Sequence, residues 1–140
     1  MKILIKVIYI IILFILFSCD EEGRKISLDE TFVLQYGETK MLDGQDHFSI
    51  SFMDMMEDSR CPANAICVWE GQARVKIEIN ENFEILTKEL ITGTLKENQA
   101  NKINIGHYTL ELLKVIPYPE KAENQIDKSD YSVQLVITSN

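Results

Sequence analysis

The chain has 140 residues, 46% hydrophobic and 26% charged, with 22 acidic against 14 basic side chains and a net charge of −8 at pH 7. That balance disfavours nucleic acid and anionic lipid surfaces as partners, because phosphate recognition needs clustered lysine and arginine. The ordinary meaning of such an acid excess is solubility, and the length allows one sizeable core rather than two.

Met1, Lys2 and Lys6 precede an uncharged run, Val7 to Phe17, that closes on Ser18-Cys19. A basic start, an apolar stretch and a small residue before a cut predict a secretory signal over residues 1–18. Its 11 apolar residues fall short of the roughly 20 that span a bilayer core. Leu16-Phe17-Ser18-Cys19 resembles the lipobox of bacterial lipoproteins, with Phe17 bulkier than the residue usual there. The resemblance implies that Cys19 becomes the first mature residue and carries acyl groups on its sulfur and its amine. Each methylene buried in lipid contributes about 0.8 kcal/mol, and stable anchoring takes more than one chain. Loss of Lys2 and Lys6 with the signal leaves 12 of the 14 basic residues against 22 acids, a net charge of −10. Residues 19–25 then read as a polar tether. The acids Asp20, Glu21 and Glu22 resemble the surface-export signal of some lipoproteins, while in others an aspartate at that place retains the protein in the inner membrane; the expected place is the cell envelope, with the periplasmic or surface face of the outer membrane favoured.

Residues 26–140, 115 in number, predict a single all-β domain: an antiparallel β-sandwich or barrel-like fold of about eight strands. Thr31 to Tyr36 and Thr39 to Leu42 are the first strands, parted by Gly37. Phe48, Ile50 and Phe52 alternate with small polar residues, as a half-buried strand requires. Ala73, Val75, Ile77 and Ile79 repeat that period, and Tyr131, Val133, Leu135 and Ile137 repeat it near the end. Phe83 to Leu90, Lys102 to Ile105 and Tyr108 to Ile116 are less regular strands, separated by Asn80-Glu81-Asn82, Thr92-Gly93 and Ile105-Gly106. Pro117 and Pro119 should end the strand that begins near Tyr108, because neither can donate a ladder hydrogen bond. A helical turn is expected at Pro62 to Ile66, and an exposed polar loop from Glu120 to Asp130.

Cys61 and Cys67 stand with five residues between them. In an exported protein the default for such a pair is a disulfide, worth about 2 to 2.5 kcal/mol for a loop of this size. A zinc site lacks its second pair of ligands, and a redox pair normally has tighter spacing. Glu57-Asp58-Ser59-Arg60-Cys61-Pro62 and Cys67-Val68-Trp69-Glu70-Gly71-Gln72-Ala73-Arg74-Val75 resemble a segment of small bacterial envelope lipoproteins. Val115-Ile116-Pro117-Tyr118-Pro119 is similar to that group as well. The resemblance implies a β-rich envelope domain and carries no chemistry with it.

Trp69 is expected to lay its ring over the sandwich edge, with Gly71 turning the chain into the next strand. Arg60 sits among Asp54, Glu57 and Asp58 in sequence, so an internal ion pair competes with a ligand-binding arginine; Arg60 and Trp69 are the candidate binding surface. His47, Met53 and Met55 would share one face of an unbroken strand, which admits a copper site of imidazole and thioether; core filling is the ordinary role of methionine. Asp54, Glu57 and Asp58 lack the alternating pattern of a calcium loop. His47 and His107 are the only histidines and no nucleophile elbow or zinc-peptidase run accompanies them, so no catalytic residue, cofactor or resident metal is expected. Glycoside cleavage by paired carboxylates would need a deeper cleft than 115 residues readily form. The expected function is a non-enzymatic envelope lipoprotein whose β domain acts by binding or by structural support, toward another envelope protein through a sheet edge or the Trp69 region. Its rivals are a copper-binding module and an inhibitor or accessory subunit of a secreted enzyme.

Overall fold

The computed structural model describes residues 22–93, 95, 97–121 and 125–140. The expected signal and the lipidation candidate Cys19 lie outside the described residues. Among those described, no helix is long and apolar enough to cross a membrane.

Among the described residues, nine strands form two sheets packed face to face as an open sandwich, not a barrel. The strands are β1 (Lys25–Ile26), β2 (Thr31–Gln35), β3 (Thr39–Leu42), β4 (Phe48–Asp58), β5 (Gln72–Glu81), β6 (Glu84–Gly93), β7 (Lys102–Ile105), β8 (Tyr108–Ile116) and β9 (Ser132–Ser139). One sheet has the order β1-β3-β4-β5-β6 and the other β2-β9-β8-β7. All pairs are antiparallel except β1 with β3. The strand beyond the expected eight is β1, a two-residue edge that opens at Lys25, the last residue of the expected tether.

The alternating stretches face inward as their period requires. Phe48, Ile50 and Phe52 of β4, Ala73, Val75, Ile77 and Ile79 of β5, and Val133, Leu135 and Ile137 of β9 are all buried, with Leu34, Leu110 and Leu112 between them. Each such aliphatic or aromatic side chain contributes about 1.5 to 3 kcal/mol by leaving water. The β5–β6 hairpin closes through Asn82 and Phe83, both at positive φ (50° and 69°). A two-residue turn of that kind matches the twist of the strands it joins. Phe83 therefore belongs to the turn and not to the strand expected to start there.

Two bulges interrupt β4 where periodicity predicts unbroken alternation. The register to β5 shifts between Phe52 and Asp54 and again between Met55 and Glu57, so Met53 and Met56 are the extra residues. A bulge sets two residues against one on the neighbouring strand and re-aims the side chains beyond it. The inward positions become Phe52, Met55 and Asp58, three residues apart. Met55 is 4% exposed in the core, whereas Met53 is 43% exposed outside it.

Two further expectations are corrected. Pro62 to Ile66 is not helical: it holds a single turn closed by the Ala65 N–H on the Pro62 carbonyl (3.0 Å). The 120–130 segment is not wholly a free loop either. Ile126 packs against the core, and Lys128–Asp130 forms one turn of 3₁₀ helix whose Lys128 Nζ reaches Asp54 at 2.7 Å.

Candidate functional site

The ladder between β4 and β5 continues past the ends of both strands. Ser59 N–H donates to the Gln72 carbonyl (2.8 Å) and Cys61 N–H to the Glu70 carbonyl (2.7 Å). The pairing forces the two legs close together. Gly71, at φ +71°, lies against the opposite leg, where a Cβ would overlap the Ser59 carbonyl oxygen. Only glycine fits a position that combines positive φ with so close a backbone approach. The result is a hairpin that carries residues 62–69 beyond the end of its sheet.

The first leg of that tip is tied down on the far side. Ala63 N–H donates to the Pro119 carbonyl (3.0 Å) and Asn64 N–H to the Glu120 carbonyl (3.2 Å), while the Tyr118 hydroxyl donates to the Cys61 carbonyl (2.8 Å). The Cys61–Cys67 disulfide, with Cα atoms 6.0 Å apart, closes the loop. A short bridge of this kind stabilises by restricting the unfolded chain.

Directly under the tip lies Arg60, only 8% exposed. Its Nε–H and Nη2–H donate to the two carboxylate oxygens of Asp58 at 2.7 and 2.6 Å, a bidentate fork. Its Nη1 donates to the Val115 carbonyl (2.7 Å) and Nη2 also to the Pro117 carbonyl (2.8 Å), both at the end of β8. The guanidinium carbon stands 5.0 Å from the Tyr118 ring centroid, within cation–π range. Asp58 accepts a further hydrogen bond from the Tyr131 hydroxyl (2.8 Å). One arginine thus joins the two sheets at this end of the sandwich.

Burial pushes the Asp58 carboxyl upward, but hydrogen bonds from Arg60 and Tyr131 with the guanidinium charge outweigh it and hold the group below its ordinary value. Tyr131 moves the other way: burial first, then donation to the Asp58 anion, push its phenol up to about 12. Asp58 is locked as an anion and Tyr131 as a neutral donor over the whole physiological range. Arg60 is therefore the internal ion pair of the two readings, and among the described residues its acidic partner is Asp58. Asp54 pairs with Lys128 and Glu57 with Arg74 at 2.8 Å. Three acids with three separate cations do not form a calcium cluster.

The second half of the tip is built differently. Val68 is 94% exposed and Trp69 78%, and Ile66 is exposed in full. Trp69 does not cover the sandwich edge as expected, because the leg that bears it runs out along the extended ladder and away from the core. Beside it, Glu70, Leu113, Lys114 and Tyr118 line a depression of about 300 Å³. Leu113 is the extra residue of a bulge in β8, which turns its side chain outward into that depression.

The structure does not assemble the copper set. His47 lies at the opposite end of the sandwich with its ring 4.6 Å from that of Phe83, Met53 points out and Met55 points in. The first bulge separates the two methionines that unbroken alternation would align. Among the described residues, no group of three or more His, Cys, Asp or Glu is placed to hold a metal ion.

Arg60, Trp69 and the cysteine pair stand out in the sequence, whereas Tyr131, Tyr118, Ile66 and Val68 join this region only in the fold. For Ile66 and Val68 a signal was present, since apolar residues in a loop this short cannot reach back to the core. No protein-family model, curated protein or solved structure matches the chain.

Proposed function

We propose that the protein is a lipid-anchored envelope protein whose β-sandwich binds a protein partner through the tip of the disulfide loop. The observation that carries this reading is the exposure of Ile66, Val68 and Trp69 together on a loop fixed at its base by Arg60 and closed by Cys61–Cys67. Clustered apolar side chains on a soluble surface mark interaction sites, and tryptophan is among the residues that dominate binding energy. A loop already held in shape loses little further freedom on binding. The depression lined by Leu113 and Tyr118 offers a place for a partner's own anchor side chain.

A non-enzymatic role fits the buried polar cluster. Arg60, Asp58 and Tyr131 direct their hydrogen bonds at one another and at the backbone. Asp58 is held ionised and Tyr131 neutral around neutral pH, which suits support and not proton transfer. Acylation at Cys19, the envelope location and the kinship with small bacterial lipoproteins belong to the same reading, supported by the signal pattern and by the disulfide, which is at home in an oxidising compartment.

Two experiments test it. Tagged full-length protein is solubilised from its own envelope and its co-purifying proteins are compared with those of Trp69→Ala. The expected result is one protein bound by the parent and lost from the variant; equal recovery from both overturns the binding reading. If that protein is a secreted protease, the loop is inhibitory. Mass spectrometry of the same preparation should show a chain starting at acylated Cys19, and a product that retains Met1 and free thiols overturns the anchoring.

A further inference from the structure

At the end of the sandwich opposite the disulfide loop, β6 has an open edge. Among the described residues it is the last strand of its sheet and pairs only with β5. The Ile91 N–H turns away from β5 and donates to the Ala100 carbonyl (3.0 Å). Backbone alternation then turns the N–H and C=O of Glu89, Thr87 and Ile85 to the same open side. The stretch from Phe83 to Glu89 is exposed throughout, including Phe83 at 78%, Ile85 at 67% and Leu86 at 37%. An extended, partly apolar edge is a template for another strand.

The charges along the edge select the strand that fits. We propose that β6 pairs antiparallel with β6 of a second copy of this chain, with the two-fold axis at Leu86. In that register Glu84 faces Lys88 of the second copy, twice by symmetry, Ile85 faces Thr87, and Leu86 faces its counterpart. Opposite charges directly across an antiparallel pair stabilise it, and like charges or charge against leucine do not. Moving the axis to Thr87 sets Lys88 against Leu86 and Ile85 against Glu89. Moving it to Ile85 sets Glu84 against Leu86. Lys88 on the core-facing side of the strand thus acts as a register key, admitting one pairing and opposing its neighbours.

Two further observations agree. The exposed part of the edge runs from Glu84 to Glu89, and the matched register pairs residues 84–88 of it while leaving the Phe83 turn outside the seam. The chain enters the same sheet at β1, the edge farthest from β6, so the membrane tether does not stand in the way. The seam joins two five-stranded sheets into one of ten.

Cysteine cross-linking of the full chain in its native envelope tests the register, because a non-hydrogen-bonded antiparallel pair brings its Cα atoms within disulfide reach. Leu86→Cys should give a dimer band on a non-reducing gel that the parent chain lacks, and Thr87→Cys should not. Lys88→Glu in the Leu86→Cys background should lower the dimer band at least fivefold, and the further change Glu84→Lys should restore it. All four positions are exposed, so folding is not at issue. Absence of the Leu86→Cys dimer, a stronger dimer with Thr87→Cys, or failure of the reversed charges to restore pairing each overturns the proposal.

Discussion

Residues 57–61 and 62–69 are neighbours in the chain with opposite construction. In the first stretch Arg60 is buried among oxygen acceptors drawn from both sheets, and Asp58 accepts from Arg60 and Tyr131. In the second, Ile66, Val68 and Trp69 stand in water with no core to join. The contrast teaches that the segment divides its work: the base holds the sandwich together, and the tip is held out. Arg60 and Asp58 in the base have their partners inside the molecule, whereas the apolar groups of the tip are exposed.

The comparison breaks most sharply at Arg60. Arg60→Ala leaves the Asp58 anion without its guanidinium partner and the Val115 and Pro117 carbonyls without this donor, and removing one member of a buried pair typically costs about 3 to 5 kcal/mol. Urea unfolding should show that loss, and a variant within about 1 kcal/mol of the parent would place the clamp among the dispensable contacts. Next comes the bridge. Cys61→Ser with Cys67→Ser should cost about 2 kcal/mol and weaken partner capture as the tip loses its preset shape.

Tyr131→Phe removes one hydrogen bond to Asp58 and should cost about 1 kcal/mol near neutral pH. Its pH signature is more telling. The folded-state phenol lies at about 12 against an ordinary 10.0, so its contribution is whole below pH 10 and fades as pH rises through 12. Phenylalanine abolishes that alkaline decline. Asp58 works with the reverse sign: its lowered value makes its contribution whole above the ordinary 3.8 and lost as pH falls through the folded value. Asp58→Asn should flatten the acid limb of the stability profile. Smallest of all in stability is Trp69→Ala, expected to change unfolding by less than about 0.5 kcal/mol, as exposed substitutions do, while binding is lost.

Much of this fold was legible in residue order. Ala73 to Ile79 and Tyr131 to Ile137 declare their inward faces because a strand alternates with period two. The disulfide was legible because two thiols stand six positions apart in a chain whose start reads as a secretion signal. Met53, Met56 and Leu113 were not legible as bulges, since an extra residue in a strand leaves no mark on composition. The clamp was half legible: Arg60 and Asp58 stand two residues apart, but the Val115 and Pro117 carbonyls lie 55 and 57 positions away and belong to a backbone that every residue shares. Trp69 was misplaced for a related reason. Its direction is set by a ladder that runs beyond the strand ends, and only pairing, not residue type, reveals that.

Photo-crosslinking from position 69 in intact cells tests the division of labour most directly. A photoreactive side chain there should give a single protein adduct, absent when the same group is placed at the exposed Leu28 near β1. Adducts with lipid alone, or the same products from both positions, would contradict it.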